Sequence, residues 1–147
     1  MTADTRAPEI QRLEHLLEGM NYSAWVGVYG PFNSDCSLEE QLRHSVSNRS
    51  VVGRETPVPA GEVRSQVLEH LLHSGDGGYG PVDLPGKRLE IIRLAEALLS
   101  RVRLDQADTL SSFWLAEGHP AYPVWWDFAF DIHADGQRWI LMGSASD

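Results

Sequence analysis

Two histidines, His119 and His133, lie in a stretch that also carries Glu117, Asp127 and Asp131. An imidazole oriented by a carboxylate is the usual general base near neutral pH, so these residues define the one enzymatic arrangement the chain offers. The same residues have a structural reading. If Asp131 and Arg138 sit on neighbouring strands they form a diagonal ion pair, and His133 then lies opposite Arg138 with no chemistry of its own. Trp114 and Trp125 flank the carboxylates. Large aromatic anchors among charges are what a protein-binding surface uses, so Trp114, Glu117, His119, Trp125, Asp127, Asp131 and His133 are the candidate partner-binding residues, and none is assigned a catalytic role.

Other motifs fail on context. Gly75-Asp76-Gly77-Gly78-Tyr79-Gly80 has the spacing of a dinucleotide-binding loop. That loop needs a strand before it and a helix opening within it, whereas here helical periodicity precedes and Pro81 follows. Gly86-Lys87 lacks the Ser or Thr of a phosphate loop, since Arg88 follows. His70 and His73 stand three apart on a helical segment, but on its polar side with Glu69, as solvated residues. His15 and His44 have no spaced partner, and no H-E-x-x-H or C-x-x-C pattern occurs, so neither a metal nor a cofactor is expected. Cys36, the single cysteine, has no basic neighbour in sequence to lower its pKa and reads as a bystander thiol. No G-x-S-x-G or S-x-x-K serine motif is present.

The elements that must position these residues follow from periodicity. Ile10, Leu13, Leu16, Leu17 and Met20 predict a helix from Pro8 to about Gly19. Ser23 to Tyr29 predicts a strand bounded by Gly30-Pro31. Ser37 and Glu40 make a capping box for a short helix over 38–46. Residues 48–60 predict a loop or an edge strand around Val51-Val52. A third helix is expected over 61–73 and the longest over 87–103, separated by a long loop from Ser74 to Gly86. Phe113 to Leu115 predicts a short strand. From Val124 to His133 apolar residues alternate with Trp125, Asp127, Ala129, Asp131 and His133, and Asp135-Gly136 has the chemistry of a two-residue turn. The hairpin register then places His133 opposite Arg138 and Phe130 opposite Leu141. Its inner face is Trp126, Phe128, Phe130, Ile132, Trp139 and Leu141. Its outer face mixes Trp125, Ile140 and Met142 with carboxylates, a mixture that requires cover from a helix or a partner.

The fold class is therefore α+β: a small antiparallel sheet with a C-terminal β-hairpin packed against three to four helices, in a single domain over 1–147. At 147 residues, such a chain buries about 68–70% of its unfolded surface and needs no disulfide. No secretory signal and no apolar run of membrane-spanning length is present, and a reducing, cytoplasmic location is expected. The net charge is −9, and residues 104–147 hold seven acids against one base together with eight of the thirteen aromatics. That field disfavours nucleic acid and favours a basic protein partner.

The segment Trp125-Trp126-Asp127-Phe128-Ala129-Phe130-Asp131, followed by a hairpin ending in Gly143-Ser144-Ala145-Ser146-Asp147, resembles the ends of small bacterial toxin-immunity proteins. The resemblance covers the last part of the chain and implies an inhibitor that masks an intracellular toxin with an acidic, aromatic surface. The contrasting expectation is a small enzyme or ligand-binding domain built on His119 or His133 and a carboxylate.

Overall fold

A computed structural model describes residues 6–33, 35–75 and 80–147. Helix α1 (Pro8–Leu16) starts on a proline in its first turn and buries Ile10, Leu13 and Leu16. It ends earlier than the periodicity predicts because Gly19 and Met20 form a short strand, β1 (Gly19–Met20), against β4 (Gly80–Pro81). Strand β2 (Ser23–Asn33) runs through Gly30-Pro31 instead of stopping there. Its pairing with β7 (Gln137–Ser146) shifts register between Tyr29 and Phe32, so the two residues that looked like a terminator are taken up as an irregularity in an edge strand.

Helix α2 (Leu38–Ser45) opens as expected, with the Ser37 hydroxyl accepting from the Glu40 amide at 3.2 Å. The edge strand around Val51-Val52 is β3 (Val51–Pro57). Helix α3 (Ala60–Leu71) buries Val63, Val67 and Leu71. Helix α4 (Leu84–Arg101) begins three residues before the predicted Lys87, from a left-handed Asp83. Asp76 to Tyr79, the centre of the Gly-rich motif, lie outside the described residues. A 3₁₀ turn at Leu104–Gln106 leads into β5 (Thr109–Glu117), longer than the predicted Phe113–Leu115.

The main sheet is antiparallel with strand order β2-β7-β6-β5-β3, where β6 is Trp126–Ala134. The hairpin β6-β7 has the register derived from Asp135-Gly136: Ala134 faces Gln137, His133 faces Arg138 and Trp126 faces Ala145. Asp135 and Gly136 have φ of 53° and 74°, the positive values this turn type requires. The α+β class is thus as expected, with a second, two-stranded sheet added by β1 and β4.

One face of the sheet holds the main core. Trp126, Phe128, Phe130, Ile132, Trp139 and Leu141 meet Ile10 and Leu13 of α1, Val63 and Val67 of α3, and Ile91, Leu98 and Leu99 of α4. Inside it the Trp126 indole donates to the Tyr22 hydroxyl at 2.7 Å. The other face carries a smaller cluster: Phe113, Ala129, Ile140 and Met142 beneath Leu38 and Leu42 of α2. The mixed outer face of the hairpin is therefore covered in part by a helix of its own chain.

Both edge strands are shielded in the same way. The Val26 amide of β2 donates to Glu14 Oε2 at 2.9 Å, and the Val52 amide of β3 donates to Glu39 Oε1 at 2.9 Å. Each glutamate comes from the adjacent helix and is itself paired, Glu14 with Arg6 at 2.7 Å and Glu39 with Arg43 at 3.3 Å. A charged side chain seated on an edge amide closes that position to another strand.

Candidate functional site

The face under α2 brings together three of the sequence-selected residues in a way their spacing foretold only in part. Asp131 is 2% exposed and Arg138 5% exposed, both among the most buried polar groups of the described residues. Arg138 Nε lies 3.0 Å from Asp131 Oδ1, while its N–H points at His133 Nε2, 3.3 Å away. The contact with the carboxylate is thus an ion pair more than a directed hydrogen bond. His133 Nε2 also sits 3.2 Å from Asp131 Oδ2. On the far side, Arg138 Nη1 donates to the Cys36 carbonyl at 3.0 Å and approaches that of Ser37 at 3.5 Å. The guanidinium therefore ties the chain entering α2 to the sheet.

Burial pushes the Asp131 carboxyl above its usual range, opposed by the positive charge of Arg138 and by His133. Close by in the sheet, the Ser111 hydroxyl donates to Glu55 at 2.5 Å, with Ser111 opposite Asp131 in the β5-β6 pairing. Every group in this cluster has an internal role. Asp131, enclosed as it is, is not placed on an open surface, and His133 gains the role that the sequence left blank, its Nε2 lying between the Arg138 guanidinium and the Asp131 carboxylate.

His119 lies elsewhere. Its ring meets Trp25 edge-on at 5.9 Å, and its Nδ1 is within 3.1 Å of both the amide and the carbonyl of Ala121. Desolvation holds its pKa below the usual value. Trp25 is opposite Ser144, which is opposite Asp127, six residues along β6 from His133. At about 3.3 Å per residue the two histidines stand roughly 20 Å apart and cannot share one substrate. Trp125 is half-buried, stacked on Tyr22 with centroids 6.3 Å apart.

Trp114, Glu117 and Asp127 are exposed. Trp114 lies across Gly53, where an added Cβ would stand 2.5 Å from the indole, and it remains 51% exposed. Tyr122 and Val124, in the connection from β5 to β6, are 79% and 44% exposed. The β5-β6 pairing runs only from Thr109 opposite His133 to Ser112 opposite Phe130. Beyond it β5 continues along β3 and β6 along β7, so the sheet is splayed at this end.

His70 departs from the solvated position expected of it. Its ring packs 5.4 Å from Trp126 and 6.0 Å from Phe128, and its Nδ1 bonds the Gln66 carbonyl at 2.7 Å. No cluster of three or more His, Cys, Asp or Glu that could hold a metal occurs among the described residues. Cys36 is half-buried, with Sγ 3.6 Å from Gln41 Oε1.

On the helical side of the sheet lies a pocket of about 640 Å³ between the start of α1, the end of α4 and β2. Arg6, Arg101 and Arg103 line it, with Gln106, Gln137 and Trp139. Sequence reasoning missed it because its residues come from four separate segments with no common spacing.

These features define an α+β domain with an internally neutralised ion cluster on one face and an arginine-lined pocket on the other. No family model matches the chain, and neither does any curated protein. Among solved structures it is similar to citrus MAF1, with a TM-score of 0.43 and 12% identity over 94% of this chain and 98% of that chain. The expected kinship with toxin-immunity proteins is corrected: none of these comparisons upholds it. The acidic outer face on which that expectation rested is moreover partly closed by α2 and by the pairing of Asp131 with Arg138. No helix among the described residues is long and apolar enough to cross a membrane.

Proposed function

We propose that the protein is a protein-binding module that meets a basic partner through the splayed end of its sheet. The observation that carries this reading is where the apolar surface falls. Of the six large hydrophobic residues exposed among the described ones, Trp114, Tyr122 and Val124 lie in the stretch from β5 to the connection before β6. The exposed carboxylates are Glu117, at the end of β5, and Asp127, at the start of β6. Exposed Arg54 stands opposite Trp114, so the charge around the rings is mixed, and the excess of carboxylates is what suits a basic partner, with the charges governing encounter and the rings residence. The seven acids and one base of residues 104–147 extend the same field.

Asp131 and His133 are left out of this surface, because they serve the ion cluster. The test is capture of partners from cells that express the protein, comparing wild type with Glu117→Lys/Asp127→Lys and with Trp114→Ala/Tyr122→Ala. All four side chains are exposed or half-exposed, so thermal unfolding should stay close to wild type. A basic protein retained at low salt, released at high salt and lost with both variants is the expected result. The same proteins recovered with wild type and both variants would rule the surface out.

A further inference from the structure

We propose that the pocket between α1, α4 and β2 is a binding site for a small organic polyanion carrying phosphate or carboxylate groups. The chain has 21 acidic and 12 basic residues, yet three of its arginines line this one cavity and, among the described residues, no Asp or Glu does. Its volume of about 640 Å³ falls in the range of small-molecule sites, about 300–1,000 Å³. Planar guanidinium forks bind two oxygens of a carboxylate or phosphate as a pair, and three of them suit a ligand with more than one negative charge.

The three cations are held in place from outside the cavity. Arg6 meets Glu14 at 2.7 Å, Arg101 meets Glu9 at 3.3 Å and Arg103 meets Asp135 at 3.4 Å, and none of these carboxylates lines the pocket. Arg103 is fixed further by stacking 6.0 Å over the Trp139 ring. The carboxylates thus offset mutual repulsion of the arginines and set their positions, while the guanidinium groups, not the carboxylates, line the cavity. Ile10 and Val28 supply apolar wall, and Ser100, Gln106 and Gln137 supply neutral hydrogen-bonding groups. This site lies on the helical side of the sheet and does not depend on the protein-binding surface.

The experiment is calorimetric titration of the full chain with inorganic tripolyphosphate and, separately, with citrate, at constant ionic strength set with sodium chloride. Variants are Arg101→Gln, Arg103→Gln and the control Arg12→Gln. Arg12 pairs with Glu90 at 2.9 Å outside the pocket, so its loss makes the same change in net charge. Saturable binding is expected, weakened about tenfold or more by either pocket variant, a change of about 1.4 kcal/mol, and unchanged by the control. Preference for tripolyphosphate or citrate identifies phosphate or carboxylate as the recognised group. Amide-resolved NMR of the wild type, with shifts at Gln106 and Gln137, locates the ligand should a variant fail to fold. No binding by either anion, equal weakening in all three variants, or shifts confined to other parts of the chain would overturn the assignment.

Discussion

Replacing Arg138 by Met removes the cation from a carboxylate that is 2% exposed. In wild type, Asp131 has Arg138 Nε at 3.0 Å and His133 Nε2 at 3.2 Å, so the variant removes the permanent cation and leaves it one neighbour. Breaking a buried pair from one side costs about 3–5 kcal/mol. For 147 residues, at about 2.1 cal/mol/K of unfolding entropy per residue, that is a fall in Tm of roughly 10–16 °C. The loss should depend on pH with a definite sign. The folded-state pKa of Asp131 is already raised by burial, and losing Arg138 raises it further. A carboxyl whose folded pKa exceeds its unfolded value favours folding below the unfolded pKa, and that contribution is lost as pH rises through the folded pKa. Urea unfolding of wild type and Arg138→Met at pH 5 and pH 8 should therefore show the larger deficit at pH 8. Asp131→Leu/Arg138→Met, which leaves no buried charge unpaired, should recover most of it. A deficit under about 1 kcal/mol, or one equal at both pH values, would mean that water reaches the pair and would refute the role given to this cluster.

Two further outcomes are expected. His119 has a folded pKa depressed by desolvation, so its neutral form supports the fold and that support is lost as pH falls through the unfolded value of 6.5; His119→Gln should flatten the decline in stability between pH 7 and 5, followed by thermal melts. Glu14→Ala should lower stability by about 1.5–3 kcal/mol in urea unfolding, because the Val26 amide loses a charged acceptor. Glu14→Gln should recover part of that, and the alanine variant should associate more readily in light scattering because an edge position of β2 is uncovered.

Much of the architecture was legible because it is set by neighbours in sequence. The alternation from Trp126 to Ile132, together with the positive-φ preference of Asp135-Gly136, specified the hairpin register residue for residue. Ser37 and Glu40 specified the start of α2, and the apolar stripe from Ile91 to Leu99 specified the packing face of α4. The charge distribution and the diagonal approach of Asp131 to Arg138 were likewise available from local order. Long-range contacts decided the rest. Gly30-Pro31 reads locally as a stop, but pairing with β7 carries β2 through it to Asn33. Whether Asp131 and His133 faced a partner or their own chain depended on where α2 came to lie, and its short, polar sequence does not say. His70 looks solvated on a wheel and is half-buried only because α3 crosses Trp126. Arg6, Arg101 and Arg103 meet because α1 packs against α4 beside β2, a juxtaposition of surfaces that no periodicity within any one segment encodes.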